Sequence, residues 1–548
     1  MTVPARLREL AQRDPTALFC TFISGKMAER ITFGQLYGRS CAYARSYVDL
    51  GVVPNDLVLV VLKHTPHLFY AYLGAMIAGA VPSYLPFPSS KQRPDLYWED
   101  HAVLFKRIRP RMMVTYEANL ATARQTLPDF DVPTLIADDA ILKAAGDEER
   151  FPGFARALDD VACLQHSSGT TSLKKGVMLT HRMIFDHVRA YNASIQFGSQ
   201  DRIASWLPLY HDMGFVACFM GSLLSGTPLI ALDPFEWVMR PRLLLDAIER
   251  YRATFCWLPN FAFSHIANSV RPSDRWDLSS LRAFINCSEP CKAKTFERFA
   301  TRFADCGIAP EKLQVSYAMA ENVFGVTQTT LGTRVKEIEA EADAFSLGTI
   351  TTSVAGSGGI RILSCGPPIA GVEVEIRDED GRRVNDSRVG EICVRSPFLF
   401  SGYYRLPQKI EEKLREGWYY TADMGFVLDG ELFVTGRKDD MIIVAGRNYY
   451  AHEIETLVNT VATIVPGRNV AIGVEDPQTD ATTVVVLAEC ASGSDAEALA
   501  REVRREILEK LGLAIHAVVP LPAGRLVKTT SGKISRSKNR ELYVGGSL

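Results

Sequence analysis

The stretch SSGTTSLKKGVMLTH, Ser167 to His181, holds the side chains best suited to chemistry in this chain. Ser167, Ser168, Thr170 and Thr171 flank Gly169, and Lys174, Lys175 and Gly176 follow. A Ser/Thr/Gly loop can wrap a polyphosphate with backbone N–H groups and hydroxyls while lysines neutralise its charge. The loop follows VACLQ (161–165), an apolar run that reads as a buried strand. Its spacing is not that of the G-x-x-x-x-G-K-[ST] phosphate loop. The same composition also describes a solvated turn, and the segment by itself leaves both readings open.

Five further motifs carry candidate groups. WLPLYHDMGF (206–215) sets His211 and Asp212 among aromatic and apolar residues. A helix-borne His211 at a pocket mouth could orient a substrate carboxylate, or it could be a core histidine satisfied by backbone. NCSEP (286–290) and SYAMAEN (316–322) each put an acid beside small residues. Tyr317 could stack on a planar base, and Glu321 could hold a hard cation such as Mg²⁺ through oxygen; plain surface solvation is the alternative. Asp423 in YYTADMGF (419–426) suits a bidentate hydrogen bond to ribose hydroxyls, or the start of a turn. Lys533, in LVKTTSGKISRSKNREL (526–542), sits between Gly532 and Ile534, either as a positioned cation or as part of a solvated tail.

The elements that must position these groups follow from the rest of the chain. At 548 residues it exceeds one hydrophobic core. Apolar content of 47% and charged content of 23% are those of a soluble globular protein. A net charge of −2 supplies no field for nucleic acid or an anionic membrane. The eleven cysteines lack C-x-x-C pairs, so reduced thiols in a cytoplasmic protein are expected, not disulfides or structural zinc. No apolar run is long enough for a transmembrane helix. LVLVVLK (57–63), RMMVTY (111–116), PTLIAD (133–138) and ATFCWLP (253–259) read as strands. HLFYAYLGAMIAGAVP (67–82) and RPRLLLDAIERYR (240–252) read as helices. The alternation predicts an α/β fold with largely parallel sheets. From about residue 360, short alternating strands with Asp/Gly turns predict a β-rich subdomain up to 437. A compact α+β segment follows, with the boundary at Lys438–Asp439, dividing the chain into 1–437 and 438–548.

Together and in this order, the motifs resemble those of the adenylate-forming superfamily: acyl-CoA synthetases, luciferases and peptide-synthetase adenylation domains. The resemblance runs from near residue 30 to the C-terminus. More narrowly, SWLPLYHDMG, the 240–263 helix and strand, NCSEP with the helix TFERFATRF, and GRNYYAHEIE resemble fatty acyl-AMP ligases. The resemblance implies a large N-terminal domain of two α/β subdomains plus the β-rich subdomain, with a small mobile C-terminal domain. It also implies that ATP and a carboxylic acid, a fatty acid in this subgroup, give an acyl-adenylate and pyrophosphate. The acyl group then passes to the phosphopantetheine thiol of an acyl carrier protein.

By matching motif positions, Ser167, Ser168, Gly169, Thr170, Thr171 and Lys175 would hold the triphosphate. Tyr317 and Ala318 would pack on adenine, with Asn286, Cys287 and Ser288 lining that pocket. Glu321 would hold Mg²⁺, Asp423 and Arg437 would bind the ribose, and Asp439 would be the hinge. Lys533 would bridge acyl and phosphate oxygens at the transition state, a point-charge role that suits a compact ammonium. The acyl pocket is expected among residues 206–263 and 284–327. The chain departs from the family pattern at Ser172, in place of glycine, and Lys174, in place of proline. Ala318 adds a methyl beside the nucleotide, and Asp439 stands where the subgroup often has lysine. Two other readings are an acyl-CoA synthetase and a nucleotide-binding relative without turnover. Retention of both Glu321 and Lys533 speaks against the second. Residues 333–363 lie where the ligase subgroup carries an extra segment that restricts use of coenzyme A, and their Gly/Ser/Thr-rich second half also suits a mobile loop.

Overall fold

The computed structural model describes residues 1–548 apart from 89–93, 128, 144–150, 167–174, 354–358, 445, 476–481, 492, 494 and 529–533. Its largest element is an eight-stranded sheet. Leu313–Ala318, Ala283–Asn286, Phe255–Leu258, Ile203–Ser205, Leu229–Leu232 and Leu18–Ser24 run parallel in that order. Gly325–Gln328 and Met27–Thr32 close the two edges antiparallel. A second sheet of Val81–Tyr84, Leu57–Val60, Met112–Thr115 and Thr134–Ile136 is wholly parallel. Its strands are buried on both faces where the sequence is continuously apolar, as in LVLV at Leu57–Val60.

Helices cover both sheets because their apolar residues repeat at helical spacing. In Ala293–Phe303 the buried positions are Ala293, Phe296, Phe299 and Phe303. His67–Ile77 is buried from Phe69 onward and joins the cores of both sheets. This helix is shorter than the 67–82 that its composition predicts. Gly79 at φ +80° turns the chain, and Val81–Tyr84 is a strand.

An antiparallel hairpin of Val161–His166 and Gly176–Thr180 brackets the Ser/Thr/Gly loop. It docks on the second sheet through Ser83, whose hydroxyl donates to the Leu164 carbonyl at 2.9 Å. The β-rich region is a five-stranded antiparallel sheet built on Glu373–Arg377, Gly390–Arg395, Trp418–Leu428 and Glu431–Arg437. The described part of 333–363 is an antiparallel pair, Glu337–Ala340 with Ile360–Leu363, carrying the short helix Ala342–Ser346.

The chain leaves the β-rich sheet through the tight turn Lys438–Asp440. Beyond it, Ile464–Glu475, Thr482–Cys490 and Ala517–Leu521 form a sheet with its own core under Ala451–Val458 and Ala496–Leu511. The hairpin Met441–Val444/Arg447–Tyr450 reaches back. Tyr450 lies in one cluster with Phe345, Phe426 and Phe433, and Arg447 pairs with Asp343 at 2.9 Å. Arg536 ties the turn to the last helix, pairing with Asp440 and with Glu455 at 2.7 Å. Among the described residues, no helix is long and apolar enough to cross a membrane.

Glu453, at the start of Ala451–Val458, carries an electrostatic penalty. Burial raises its carboxyl pKa from 4.5 to about 7, against the hydrogen bond from the Tyr450 N–H. Unfolded chains lose this proton near 4.5, so up to about 7 the folded state alone keeps it. Stability therefore falls as pH rises across that window. Glu453→Gln should raise the thermal midpoint at about pH 8 and give a smaller gain at about pH 5. Equal gains at both, by circular dichroism, would show that Glu453 carries no such penalty.

Candidate functional site

The large sheet reverses its winding between Ile203–Ser205 and Phe255–Leu258. From Ile203–Ser205 the chain adds Leu229–Leu232 on one side, then Phe255–Leu258, Ala283–Asn286 and Leu313–Ala318 on the other. The two strands at the reversal pair only at Phe255↔Ile203, near their starts, so their carboxyl ends diverge. Ligands of open α/β sheets bind in the crevice at such a point. The candidate residues His211, Asn286, Cys287, Ser288, Tyr317, Ala318 and Glu321 all lie at or just beyond the carboxyl ends of these strands.

Tyr317 anchors the site. It is buried, and its hydroxyl donates to Asp423 Oδ2 at 2.6 Å. Arg437 Nε lies 3.2 Å from Asp423 Oδ1. Asp423 and Arg437 are register partners on Trp418–Leu428 and Glu431–Arg437, so sheet geometry itself sets this pair. Burial pushes the Asp423 carboxyl up, and the Arg437 guanidinium and Tyr317 hydroxyl oppose that shift. The same bond, with burial dominant, holds the Tyr317 hydroxyl far above its ordinary range.

Glu321 sits in the turn Ala320–Asn322, and its Oε1 accepts the Tyr403 hydroxyl at 2.7 Å. Tyr403 and Tyr419 share a hydrogen bond of 3.0 Å. Lys175 lies over the Tyr403 ring, 5.1 Å from its centre. Burial lowers the Lys175 ammonium pKa, and the Glu321 carboxylate opposes this. Backbone bonds place the lysine: Met178 N–H donates to Gly402, and Tyr404 N–H to Gly176, at 2.9 and 2.8 Å. The hairpin thus delivers the end of the Ser/Thr/Gly loop to Glu321. Ser167, Ser168, Gly169, Thr170 and Thr171 lie outside the described residues, as does Lys533.

Asn286 is fully buried and donates through Nδ2 to Asn260 Oδ1 at 3.1 Å. Its Oδ1 has no partner among the described residues. Ser288 holds φ at +71°, a strained left-handed conformation for a side-chain-bearing residue. Burial first, and the nearby Asp212 carboxylate second, push the Cys287 thiol far up, which makes it wall material and no nucleophile. Ala318 pairs with Gly325 across a register shift that begins at Tyr317.

His211 is not on a helix, as its motif predicts. It occupies the turn before Met213–Met220, where its carbonyl accepts the Phe215 N–H at 2.8 Å. That segment is a π-helix, a form common at functional sites. Asp212 starts it, accepting the Met213 N–H at 2.8 Å.

Beside this turn lies a pocket between the two sheets. Ser205, Leu207, Tyr210, Gly214 and Leu229–Leu232 residues line one side; Leu62, His64, Tyr84 and Leu85 line the other. Residues 284–327 contribute nothing to its wall, and residues from Phe22 to Phe87 contribute much of it. Tyr403 and Tyr419 are also absent from the sequence-derived set. The Gly402–Tyr403 turn after an alternating strand is the signal that marks them.

A family model, AMP-binding enzyme, matches residues 7–404, and the chain belongs to that family. It is similar to the medium-chain-fatty-acid–[acyl-carrier-protein] ligase JamA of Moorena producens, 30% identical over 90% of this chain and 86% of that one. It is also similar to the long-chain-fatty-acid–AMP ligase FadD26 of Mycobacterium marinum, 27% identical over 99% and 97% of the two chains. Among solved structures, one from studies of fatty acyl-adenylate ligases of E. coli and L. pneumophila matches with a TM-score of 0.88. That pair is 26% identical over 100% of this chain and 98% of that one.

Gly214 is the closest approach in the site. A Cβ there would lie 2.4 Å from the Pro208 carbonyl oxygen and 3.0 Å from that of Leu207. Gly214→Ala must displace the loop that carries His211, and should lower stability by about 1–3 kcal/mol. An unchanged denaturant midpoint would show that the loop yields freely.

Proposed function

We propose that this protein uses ATP to activate a carboxylic acid, of the fatty class, as an acyl-adenylate. It then passes the acyl group to the phosphopantetheine thiol of an acyl carrier protein. The observation that carries the reading is the Tyr317–Asp423–Arg437 chain at the carboxyl ends of the sheet, with Glu321 and Lys175 beside it. It offers a flat ring, a carboxylate for vicinal hydroxyls and, next to them, one carboxylate and one ammonium for phosphates.

In this reading adenine packs against Tyr317 and Ala318, within a wall of Asn286, Cys287 and Ser288. Asp423 accepts the ribose hydroxyls while Arg437 opposes the upward push of burial on its carboxyl. The acid lies in the sheet-to-sheet cavity with its carboxylate at the His211 turn. A carboxylate oxygen attacks the α-phosphorus, the bond to the bridging oxygen breaks, and pyrophosphate leaves. Two anions must meet in line, so catalysis rests on charge neutralisation and positioning. Lys175 and residues 167–174 neutralise the leaving phosphates, and Lys533 the oxygens at the reacting centre. The thiolate then attacks the acyl carbon and AMP departs.

The residues present fit a magnesium ion. Glu321 supplies a single hard carboxylate, and among the described residues no cluster of three or more metal-ligating side chains exists. Mg²⁺ is held in that way, by one or two carboxylates plus substrate phosphates. When bound, it would supply charge neutralisation at the phosphate oxygens.

Between the two steps the C-terminal unit turns about Asp439, in the Lys438–Asp440 turn. The 333–363 segment limits that turn through Phe345 on Tyr450 and Asp343 on Arg447. The carrier as acceptor is supported by this packing and by the similarity to JamA, an acyl-carrier-protein ligase. ATP–pyrophosphate exchange against a panel of acids, followed by transfer to coenzyme A and to carrier proteins, tests the proposal. Exchange with fatty acids and faster loading of a carrier than of free coenzyme A is the expected result. Rapid acyl-CoA formation would overturn the acceptor, and no exchange with any acid would overturn the activity.

A further inference from the structure

The cavity between the sheets has an apolar wall with one unusual member. Phe22, Leu68, Phe69, Leu85 and Phe87 present carbon to it, and His64 stands among them. The imidazole is fixed on two sides. Its ring stacks on Phe22, 3.9 Å between centres at 17°. Its Nε2 lies 3.2 Å from the Ile23 carbonyl oxygen. A carbonyl only accepts, so Nε2 carries the hydrogen, and in the neutral ring Nδ1 is a bare acceptor.

The ring is neutral in the working range. Burial lowers its pKa to about 4, although the Asp233 carboxylate opposes that shift. Asp233 is itself engaged, its Oδ1 accepting the N–H groups of Phe235 and Glu236 at 2.7 and 3.1 Å. Of the other polar side chains on the wall, Tyr84 and Ser205 are already used, and Tyr210 adds a hydroxyl. The Tyr84 hydroxyl donates to the Leu68 carbonyl at 2.8 Å, and Ser205 Oγ accepts the Leu207 N–H at 3.1 Å. Among the described residues, no hydrogen-bond partner meets His64 Nδ1.

An acceptor in an apolar cavity is left unpaired by a plain hydrocarbon chain and paired by a chain that carries a donor. We propose that His64 is a specificity-determining residue, and that the preferred acid carries a hydroxyl partway along its chain that donates to His64 Nδ1. This rests on the reading that the cavity holds the acyl chain.

ATP–pyrophosphate exchange with matched acids tests it: plain saturated chains, and the same chains with one hydroxyl moved stepwise along them. The wild type should favour one hydroxyl position over the plain acid by about tenfold or more in kcat/KM, the worth of one buried hydrogen bond. His64→Leu should erase that ratio. His64→Asn, whose amide oxygen can take the place of Nδ1, should restore part of it. Exchange with plain acids and no preference at any hydroxyl position would overturn the proposal and leave the proposed function standing. A preference that survives in His64→Leu would also overturn it. Exchange with no acid at all would overturn the proposed function, and this inference with it.

Discussion

The hydrogen bond from Tyr317 to Asp423 is the constraint on which the site depends. It joins the end of a parallel strand to an antiparallel sheet more than a hundred positions later in the chain, at 2.6 Å. Backbone bonds support the same junction: the Phe400 N–H donates to the Glu321 carbonyl at 2.8 Å and the Ile369 N–H to that of Val326 at 3.0 Å. Arg437 makes the Tyr317–Asp423 bond sustainable. Burial pushes the Asp423 carboxyl up, and the guanidinium across the strand pair opposes this. From this junction the remaining groups radiate. Tyr419 precedes Asp423 on the same strand, Tyr403 bonds Tyr419, and Glu321 bonds Tyr403.

Much of this was legible in the sequence where the signal is local. Glu321, Tyr317 and Asp423 each stand in a short motif of turn and small residues, and the structure brings all three together. The parallel sheets were legible for the same reason, since a strand buried on both faces must be apolar throughout. The cavity was not. Its wall combines Phe22, His64 and Phe87 with Leu207, Tyr210 and Phe235, and no periodicity links residues so far apart. The motif of His211 predicts a helix because it ends in an apolar helical run, and the structure places His211 in the turn before it. The turn that precedes the run is set by the close approach of Gly214 to the Pro208 carbonyl, a backbone contact that side-chain periodicity does not report. The 67–82 helix was drawn too long because its residues are buried as helix and as strand alike.

The C-terminal unit shows how two demands are met at once. It has a core of its own under Ala451–Val458 and Ala496–Leu511. Yet Tyr450 is buried among Phe345, Phe426 and Phe433, which belong to the rest of the chain. Arg536 binds both Asp440 and Glu455, linking the turn at the boundary to the helix that follows Lys533. The described part of residues 333–363 is a strand pair with a helix, and the centre of their Gly/Ser/Thr-rich second half, 354–358, lies outside the described residues. Their apolar residues Ala340, Phe345, Ile350 and Ile362 fill the space under Tyr450.

The central claim is that Tyr317 and Asp423 act as one unit on the nucleotide. A double-mutant cycle measures this directly: AMP affinity by calorimetry in the wild type, Tyr317→Phe, Asp423→Asn and the combined variant. Residues in one hydrogen-bond network couple by about 0.5–3 kcal/mol. The account predicts that each single change weakens binding and that the second adds little to the first, with a coupling of about 1 kcal/mol or more. Strict additivity of the two losses would contradict it.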